Sequence, residues 1–280
     1  MSIQAAMLPD GKRLHLQHGP IDLIIWADGE PAQVDRAYIA ARSRFDGLLE
    51  QLICELAVLR TEMPLHGLPL AGPVARRMGQ AVQPYWREQA TPMAAVAGAV
   101  ADQILHAMLK AASLRRAYVN NGGDIALHLA HGQSFSIASA NGHVAVTAAD
   151  GVGGIATSGW RGRSHSLGIA DSVTVLARSA ARADVAATLI ANAVDLPGSP
   201  KITRLPACEL NPDSDLRNRL ATVDVAALTA AEAAAALARG VQKAREFQRR
   251  GLIIACTLGL NDKVEQLVPA PVIDRTPAHA

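Results

Sequence analysis

Three short patches of small and polar residues between Ala117 and Val194 could carry chemistry. The first is Asn121-Gly122-Gly123-Asp124, the second is Ala156-Thr157-Ser158-Gly159, and the third places Asp184 four residues before Thr188. Glycine lets the backbone approach a ligand closely because it lacks a Cβ atom and accepts positive φ. A loop rich in glycine and small hydroxyls suits an anion. A carboxylate beside a hydroxyl suits a hard cation such as Mg²⁺.

Local patterns predict the elements that hold the first and third patches. Apolar Ala117–Val119 precedes the first patch and alternating Ile125–Leu129 follows it, which predicts a glycine corner between two strands. The third patch lies in a predicted helix over Ser179–Val194, where residues four apart share a face. Two interpretations of Asp184 and Thr188 stay open: ligation of a metal ion, or a capping or buried hydrogen-bonding role inside the fold.

Two arginines follow the second patch. The segment Trp160–His165 contains Arg161 and Arg163, and arginine offers a forked pair of N–H donors to a phosphate. The backbone N–H groups of the glycine-rich loop would add donors to the same anion. The segment is therefore either a phosphate-binding loop or an ordinary glycine-rich turn whose arginines face solvent.

A long apolar helix is predicted to begin after Thr91, a good N-cap, with Pro92 as a good first helical residue. Asp102, His106 and Lys110 follow one another at a spacing of four on one face of this helix, which predicts a solvated stripe. The most apolar window of this helix contains polar residues and is short. The helix is therefore predicted to be too polar and too short to span a membrane.

Five segments in a fixed order resemble the ApbE superfamily, the FAD:protein FMN transferases once linked to thiamine biosynthesis. The chain looks more like a UPF-type sister family of cytoplasmic, ApbE-like proteins. The resemblance covers roughly the chain from Pro92 to Val194. Its segments are Pro92–Gly98, Asn121–Asp124, Ala156–Gly159, Ser172–Val175, and Ala183-Asp184 with Thr188.

The resemblance implies a magnesium site. In ApbE enzymes, the positions of Asp184 and Thr188 hold Mg²⁺ together with a backbone oxygen that falls near Ala97 or Gly98 here. Such an ion stabilises charge on a diphosphate during its cleavage. Asp184, Thr188 and Ala97 are therefore the candidate metal ligands.

The same resemblance implies that FAD or FMN is the cofactor. A hydroxyl acceptor would attack the diphosphate, with Asp124 and His165 as the candidate general bases. The implied activity is that of a magnesium-dependent FMN transferase or FAD diphosphate hydrolase. The candidate residues for the phosphates are Asn121, Gly122, Gly123, Ala156, Thr157, Ser158, Gly159, Arg161 and Arg163.

Two departures from the ApbE pattern favour a different function. ApbE enzymes have a paired histidine and a Pro-x-Thr-Gly loop where Ser164–Asp171 holds a single histidine, and they often have Lys-Gly where this chain has Ala97-Gly98. The alternative is a binding or cofactor-biosynthesis protein without transferase chemistry that takes a pterin-like or one-carbon carrier ligand, since T-fold relatives bind pterins and purines. A homo-oligomeric scaffold is a third interpretation.

The rest of the chain predicts an α+β fold with a T-fold-like, ApbE-like architecture, in which long helices pack on one face of an antiparallel sheet. A single domain is expected over residues 1–268, followed by a disordered tail over 269–280. The segment Pro64–Gln89 is either a surface connection with one ring on the core or a mobile flap over a planar ligand. The other predicted strands are Arg13–Gln17, Ile21–Ala27, Ser134–Ser139, His143–Ala148, Asp171–Ala177 and Gly251–Cys256. Ser134–Ser139 and His143–Ala148, joined by a turn at Asn141-Gly142, are expected to continue the same sheet as a meander. The other predicted helices are Val34–Arg60 and Ala226–Arg249, with an irregular segment beyond Asp195–Gly198.

Composition narrows the class of protein. Half of the 280 residues are apolar but only 3% are aromatic, so the core must consist of Ala, Val, Leu and Ile. A formal charge of +2 gives no electrostatic footprint for nucleic acid. Three widely spaced cysteines and an N-terminus without signal-peptide features favour a cytoplasmic protein. The expected partner is a small nucleotide or pterin-like ligand, without nucleic acid or membrane, in a possible homo-oligomer.

Overall fold

The computed structural model describes residues 3–139 and 142–268 of the chain. Its helices are α1 Pro31–Phe45, α2 Leu48–Cys54, α3 Leu56–Leu59, α4 Pro73–Val82, α5 Val96–Ala111, α6 Ala180–Ala193, α7 Ala207–Leu210 and α8 Ala230–Arg249. Its strands are β1 Gln4–Met7, β2 Leu14–His18, β3 Ile21–Asp28, β4 Arg116–Asn121, β5 Asp124–Leu129, β6 Ser134–Ser139, β7 Gly142–Thr147, β8 Gly154–Ser158, β9 Ser172–Ala177, β10 Ile202–Pro206, β11 Leu220–Val225, β12 Ala255–Leu260 and β13 Lys263–Leu267. Short 3₁₀ segments cover Gln83–Glu88, Pro92–Ala95 and Ala148–Asp150.

A nine-stranded antiparallel sheet forms the centre of the molecule, in the order β1-β2-β3-β4-β5-β8-β9-β12-β13. Side chains alternate between its two faces, as in β3, where every second residue is buried. The buried face packs against α1, α5, α6 and α8 in one main core. The predicted α+β fold with helices on one face is confirmed.

The opposite face of the sheet is covered in part by the β6–β7 hairpin, which forms a separate two-stranded sheet. The prediction that these strands continue the main sheet is therefore wrong. Val146 of β7 joins a second, smaller core with Leu127 and Ile155 of the main sheet, so apolar burial holds the hairpin across the face. The Asn141 turn predicted to join the strands lies outside the described residues.

The predicted long helix over Val34–Arg60 is divided into three. Gly47 adopts φ +67°, a left-handed conformation that ends one helix and begins the next. α2 and α3 then run as short helices up to Leu59. This break matters for the site, because α2 and α3 supply apolar residues to the cavity described below.

The chain between α6 and α8 also differs from the prediction of an irregular segment. β10 and β11 form an antiparallel hairpin that was not predicted, with a register shift between Thr203 and Arg204. Within Pro64–Gln89, the Tyr85 ring is buried and packs edge-on against Phe247 at 4.8 Å. One ring of this segment therefore lies on the core, as the first of the two interpretations requires.

Helices α5 and α6 cap each other. Thr91 accepts a hydrogen bond from the Met93 N–H at the start of the α5 region, as its N-cap role predicts. Asp102 of α5 accepts hydrogen bonds from the Ala180 and Ala181 N–H groups at the start of α6, each at 3.0 Å. The expectation that Asp102 faces solvent is wrong, because the side chain is buried to satisfy these two donors.

One stretch among the described residues, Pro92–Ala111, is long and apolar enough to span a membrane by length and composition alone, contrary to the expectation from its sequence. Its most apolar window is 61% buried inside the fold. Core helices of soluble proteins pass the same test.

Candidate functional site

A cavity of about 780 Å³ opens beside the glycine corner between β4 and β5. One wall is apolar and comes mainly from α2, α3 and α5, with the side chains of Leu49, Leu52, Ile53, Leu56, Leu59, Met93, Val96 and Val100. The other end is polar and holds Asn121, Gly122, Asp124, Arg163 and Ser164. Its size lies in the range of small-molecule sites.

The glycine corner joins β4 and β5 with the positive φ angles that its sequence predicts. Gly122 and Gly123 adopt φ +65° and +114°, and Asn120 Oδ1 accepts a hydrogen bond from the Gly123 N–H at 2.8 Å. The guanidinium of Arg163 lies directly over Gly122, since a Cβ atom there would be 2.7 Å from Nη1. The absence of a side chain at Gly122 therefore leaves room for Arg163 at the polar end of the cavity.

Two hydrogen bonds tie the corner and α6 to the start of α5. The Asn121 side-chain amide donates to the Ala97 carbonyl at 3.1 Å. The Gly98 N–H donates to Asp184 Oδ2 at 3.0 Å. Asp184 of α6 therefore caps α5, just as Asp102 of α5 caps α6. The capping role, one of the two interpretations of Asp184 from the sequence, is present.

Asp124 lines the polar end of the cavity and interacts electrostatically with the Asp184 carboxylate, which lies behind it and is not among the lining residues. Burial raises the pKa of Asp124 to about 7, although the Thr157 N–H and the Arg163 charge act to lower it. Burial also raises the pKa of Asp184 well above its usual value, and the negative charge of Asp124 raises it further. The N–H groups of Gly98 and Ala97 oppose that shift. Two partly repelling carboxylates thus meet where a cation would favour ionisation of both.

Thr188 lies one turn along α6 from Asp184 and lines a second cavity of about 660 Å³. Arg217 and Arg219 line this second cavity, and Arg60 lines both cavities. Thr188 therefore lines a cavity that shares Arg60 with the first, whereas Asp184 is not among the residues that line either of them.

The second patch contributes mainly through its backbone. Ala156 is buried in the core, and Gly159 packs against the Asp171 carbonyl. The Thr157 hydroxyl bonds to the Thr174 hydroxyl at 2.9 Å, away from the cavity, while the Thr157 N–H bonds to Asp124. Ser158 is half-buried at the end of β8 and is not among the residues that line the cavity.

Two other candidate residues lie outside the cavity. Arg161 is exposed, pairs with Asp171 at 3.4 Å and stacks over Trp160. His165 is half-buried and lines neither of the two cavities. Of the two arginines and the two general-base candidates, the structure brings Arg163 and Asp124 together. Gly123 is exposed at the corner, with open space beside it.

The apolar wall was not predicted as part of a site. Its one sequence signal is the width of the apolar stripe in α2 and α3, where Leu48, Leu49 and Leu52 are followed by Ile53 and Leu56. Leu48 faces the core, while Ile53 is 57% exposed.

The donor atoms at the polar end fit Mg²⁺ in chemistry, because the carboxylates of Asp124 and Asp184 and the carbonyl of Ala97 are hard oxygens. Among the described residues, no group of three His, Cys, Asp or Glu side chains gathers as a metal cluster. A bound ion would therefore need carbonyl, hydroxyl or water oxygens in addition to the carboxylates. Mg²⁺ commonly keeps several waters of this kind.

Comparison with known proteins identifies the family. A family model described as "AbpE bacteria" matches residues 5–266. The chain belongs to this family. The predicted relationship to an ApbE-like sister family is confirmed.

Curated relatives of this family member are UPF0280 proteins of archaea. That of Methanopyrus kandleri is 32% identical over 176 residues, which cover 61% of this chain and 69% of the relative. That of Methanothrix thermoacetophila is 31% identical over 185 residues, covering 63% and 75%. That of Methanococcus vannielii is 39% identical over 110 residues, covering 36% of this chain and 44% of the relative.

Two solved structures are more distant. A mutant of the flavin transferase ApbE from Vibrio cholerae aligns with 92% of this chain and 98% of its own, with a TM-score of 0.43 and 12% identity. The apo flavinyl transferase ApbE of Pseudomonas stutzeri aligns with 95% of each chain, with a TM-score of 0.40 and 13% identity. Both TM-scores lie below 0.5, so the superpositions are loose.

Proposed function

We propose that this protein binds a flavin nucleotide, FAD or FMN, or a similar diphosphate cofactor, together with Mg²⁺, in the cavity beside the glycine corner. The observation that carries the proposal is the division of the cavity into an apolar wall and a polar end, where Asp124 interacts electrostatically with the Asp184 carboxylate behind it. The apolar wall suits a flat ring system. Arg163 and a cation held at Asp184 suit the phosphates.

The position of the metal ligands supports a two-part ligand. Asp184 touches the start of α5 beside the first cavity, and Thr188 lines the second. A diphosphate held between the two cavities would place one of its substituents in each cavity. Arg60 lines both cavities and could contact the diphosphate from either one. Bound at Asp184 and Thr188, Mg²⁺ would supply charge neutralisation for the diphosphate.

Asp124 is the group that we assign to proton transfer. A carboxylate can accept a proton from an attacking hydroxyl when it lies within hydrogen-bond reach of it. Asp124 lines the cavity, whereas His165 does not. In a transferase or hydrolase, Asp124 would accept the proton of the attacking hydroxyl or water.

The test is incubation of the protein with FAD, with Mg²⁺ or with EDTA, followed by measurement of bound flavin and released AMP. We expect magnesium-dependent flavin binding and AMP release in the wild type, and loss of both in Asp184→Asn. Asn keeps an acceptor for the Gly98 N–H, so the cap on α5 survives while the charge is lost.

Asp171→Asn is the matched control, because this partly exposed carboxylate pairs with Arg161 outside the cavity. It should bind flavin like the wild type. An absence of both bound flavin and AMP in the wild type would contradict the proposal, as would equal losses in the two variants.

The second candidate function is binding of a pterin-like or one-carbon carrier ligand without transfer chemistry. It is favoured by the small number of arginines that this loop offers to phosphate groups. Arg161 pairs with Asp171, and of the two arginines Arg163 lines the cavity. The Asp124 carboxyl and the cavity's apolar wall would then hold the edge and the face of the ring. Retention of a reduced pterin, with neither flavin binding nor AMP release, would distinguish it.

A further inference from the structure

A separate groove of about 580 Å³ lies between the end of α1, the first turns of α4 and the C-terminal half of α5. Five of its lining side chains are basic, and within the described chain no acidic residue lines it. The basic side chains are Arg44, Arg76, Arg77, His106 and Lys110. The groove is distinct from the cavity of the proposed flavin site, which α5 reaches with Val96, Ala97 and Val100.

The five basic side chains of the groove lie together without carboxylate ion-pair partners among the described residues. Elsewhere, Arg116 pairs with Asp28 at 3.0 Å and Lys201 with Glu232 at 2.7 Å. Over residues 3–139 and 142–268, none of the five groove bases forms an ion pair. The buried Asp102 carboxylate interacts with the Arg77 charge from inside the fold. The other four bases of the groove have no such carboxylate among their ion-pair contacts in the described chain.

Neutral acceptors hold three of the guanidinium groups in place. Arg77 Nε donates to the buried Gln103 Oε1 at 2.8 Å. Arg44 Nη2 donates to Gln51 Oε1 at 3.3 Å, and Arg76 donates to the Ala71 carbonyl. Each bond uses one of the five N–H groups of its arginine, so it orients the guanidinium without cancelling its charge.

We propose that this groove binds a small anion that carries several phosphate charges, namely pyrophosphate or the triphosphate group of a nucleotide. Clustered guanidinium groups match phosphate oxygens in geometry and charge. The non-basic lining consists of Pro73, Gln80, Gln103 and Ala107, with no aromatic ring against which a base could stack. The groove therefore recognises the phosphates and not the base.

Mutual repulsion within the groove supports the same ligand. The pKa of Arg44 is lowered by burial and then by the Arg77 charge. The pKa of His106 is lowered by burial and then by the charges of Arg77 and Lys110. A multiply charged anion relieves these repulsions at several side chains at once.

The experiment is calorimetric titration of the full chain with inorganic pyrophosphate in EDTA, which removes the divalent ions of the proposed flavin site. We expect Arg44→Gln/Arg77→Gln to weaken pyrophosphate binding at least about tenfold, since two charge-assisted contacts are lost. Lys110→Gln, an exposed change that leaves the fold intact, should weaken it about threefold. ATP should bind about as tightly as pyrophosphate, and AMP much more weakly.

Arg245→Gln/Arg249→Gln is the matched control, because it removes the same charge from exposed positions on α8. It should leave pyrophosphate affinity within about twofold of the wild type. Unchanged affinity in the groove variants would overturn the proposal. So would loss of pyrophosphate binding in Arg163→Gln alone, which would assign the anion to the large cavity, or binding of ATP without binding of pyrophosphate.

Discussion

At the scale of single residues, the site depends on Asp124, a carboxylate whose pKa burial raises to about 7. The sequence identifies Asp124 as a candidate because it ends the glycine corner. It does not predict that Asp184, 60 positions later, adds its charge to the same place. That coupling depends on β5 and α6 meeting in space, which local patterns do not encode.

Asp124 should make the metal-free protein less stable as the pH rises. Its pKa is about 7 in the folded protein and 3.8 in the absence of the fold, so the folded state binds more protons between these values. The free energy of unfolding therefore falls as pH rises through this window and is level above it. In thermal unfolding with EDTA, the Tm of Asp124→Asn relative to that of the wild type should rise by on the order of 5 °C when the pH is raised from about 4.5 to about 8.

Asp171→Asn serves as the control and should show no such pH-dependent gain. Added Mg²⁺ should reduce the gap between Asp124→Asn and the wild type at pH 8, because a cation favours the ionised pair. A constant gap across the pH range would show that the Asp124 carboxyl titrates normally.

The arginine pair offers a test in which neighbouring side chains of one loop are compared. Arg163 lies over Gly122 at the cavity, whereas Arg161 pairs with Asp171. We expect Arg163→Gln to weaken flavin binding about tenfold, as loss of a charge-assisted phosphate contact implies. Arg161→Gln should change it by less than about twofold. Flavin fluorescence titration measures the affinity of both variants. A larger loss of affinity in Arg161→Gln than in Arg163→Gln would mean that the loop presents Arg161 to the flavin in solution.

At the scale of elements, the site is positioned by the contact between α5 and α6. Each helix supplies a carboxylate to the first turn of the other, Asp102 to α6 and Asp184 to α5. The sequence predicts both helices, and it predicts the N-cap Thr91 from residue type. The reciprocal caps join residues about 80 positions apart, so helix periodicity places Asp102 on a polar stripe without indicating its partner.

Gly98 permits this contact. A Cβ atom there would lie 2.4 Å from the backbone carbon and oxygen of Ala180, which cannot rotate away. Gly98→Ala should lower the free energy of unfolding by about 3 kcal/mol, measured by urea denaturation. Gly79→Ala in α4 is the control, since its Cβ would meet only the tip of Leu70 at 2.6 Å and the helix gains from alanine. Similar losses in both variants would contradict a rigid contact.

The hydrogen bonds that Asp102 accepts at the start of α6 and its negative charge should make separable contributions to stability. Asp102→Ala leaves the Ala180 and Ala181 N–H groups buried without an acceptor, which costs roughly 2–4 kcal/mol. Asp102→Asn keeps one oxygen acceptor and should cost less than half as much. Chemical denaturation of the two variants gives the comparison. Equal costs would mean that the carboxylate charge, and not its hydrogen bonds, stabilises α6.

At the scale of the whole molecule, antiparallel strands with helices on one face follow from alternation and turn residues, and the fold class is confirmed. The cavity does not follow from them. Its apolar wall comes largely from α2 and α3, which follow a break at Gly47 where the sequence predicts one long helix. The pattern of apolar residues does not indicate that this positive-φ glycine separates Leu49, Ile53 and Leu56 from α1.

The most direct test is a crystal structure of the protein with FAD and Mn²⁺ in place of Mg²⁺, with anomalous diffraction recorded at the manganese edge. The anomalous peak should lie about 2.2 Å from the Asp184 carboxylate. The flavin ring should lie against the apolar wall of α2 and α3, with the diphosphate beside Arg163. An ion bound away from Asp184, or a flavin outside the cavity, would contradict the proposed function.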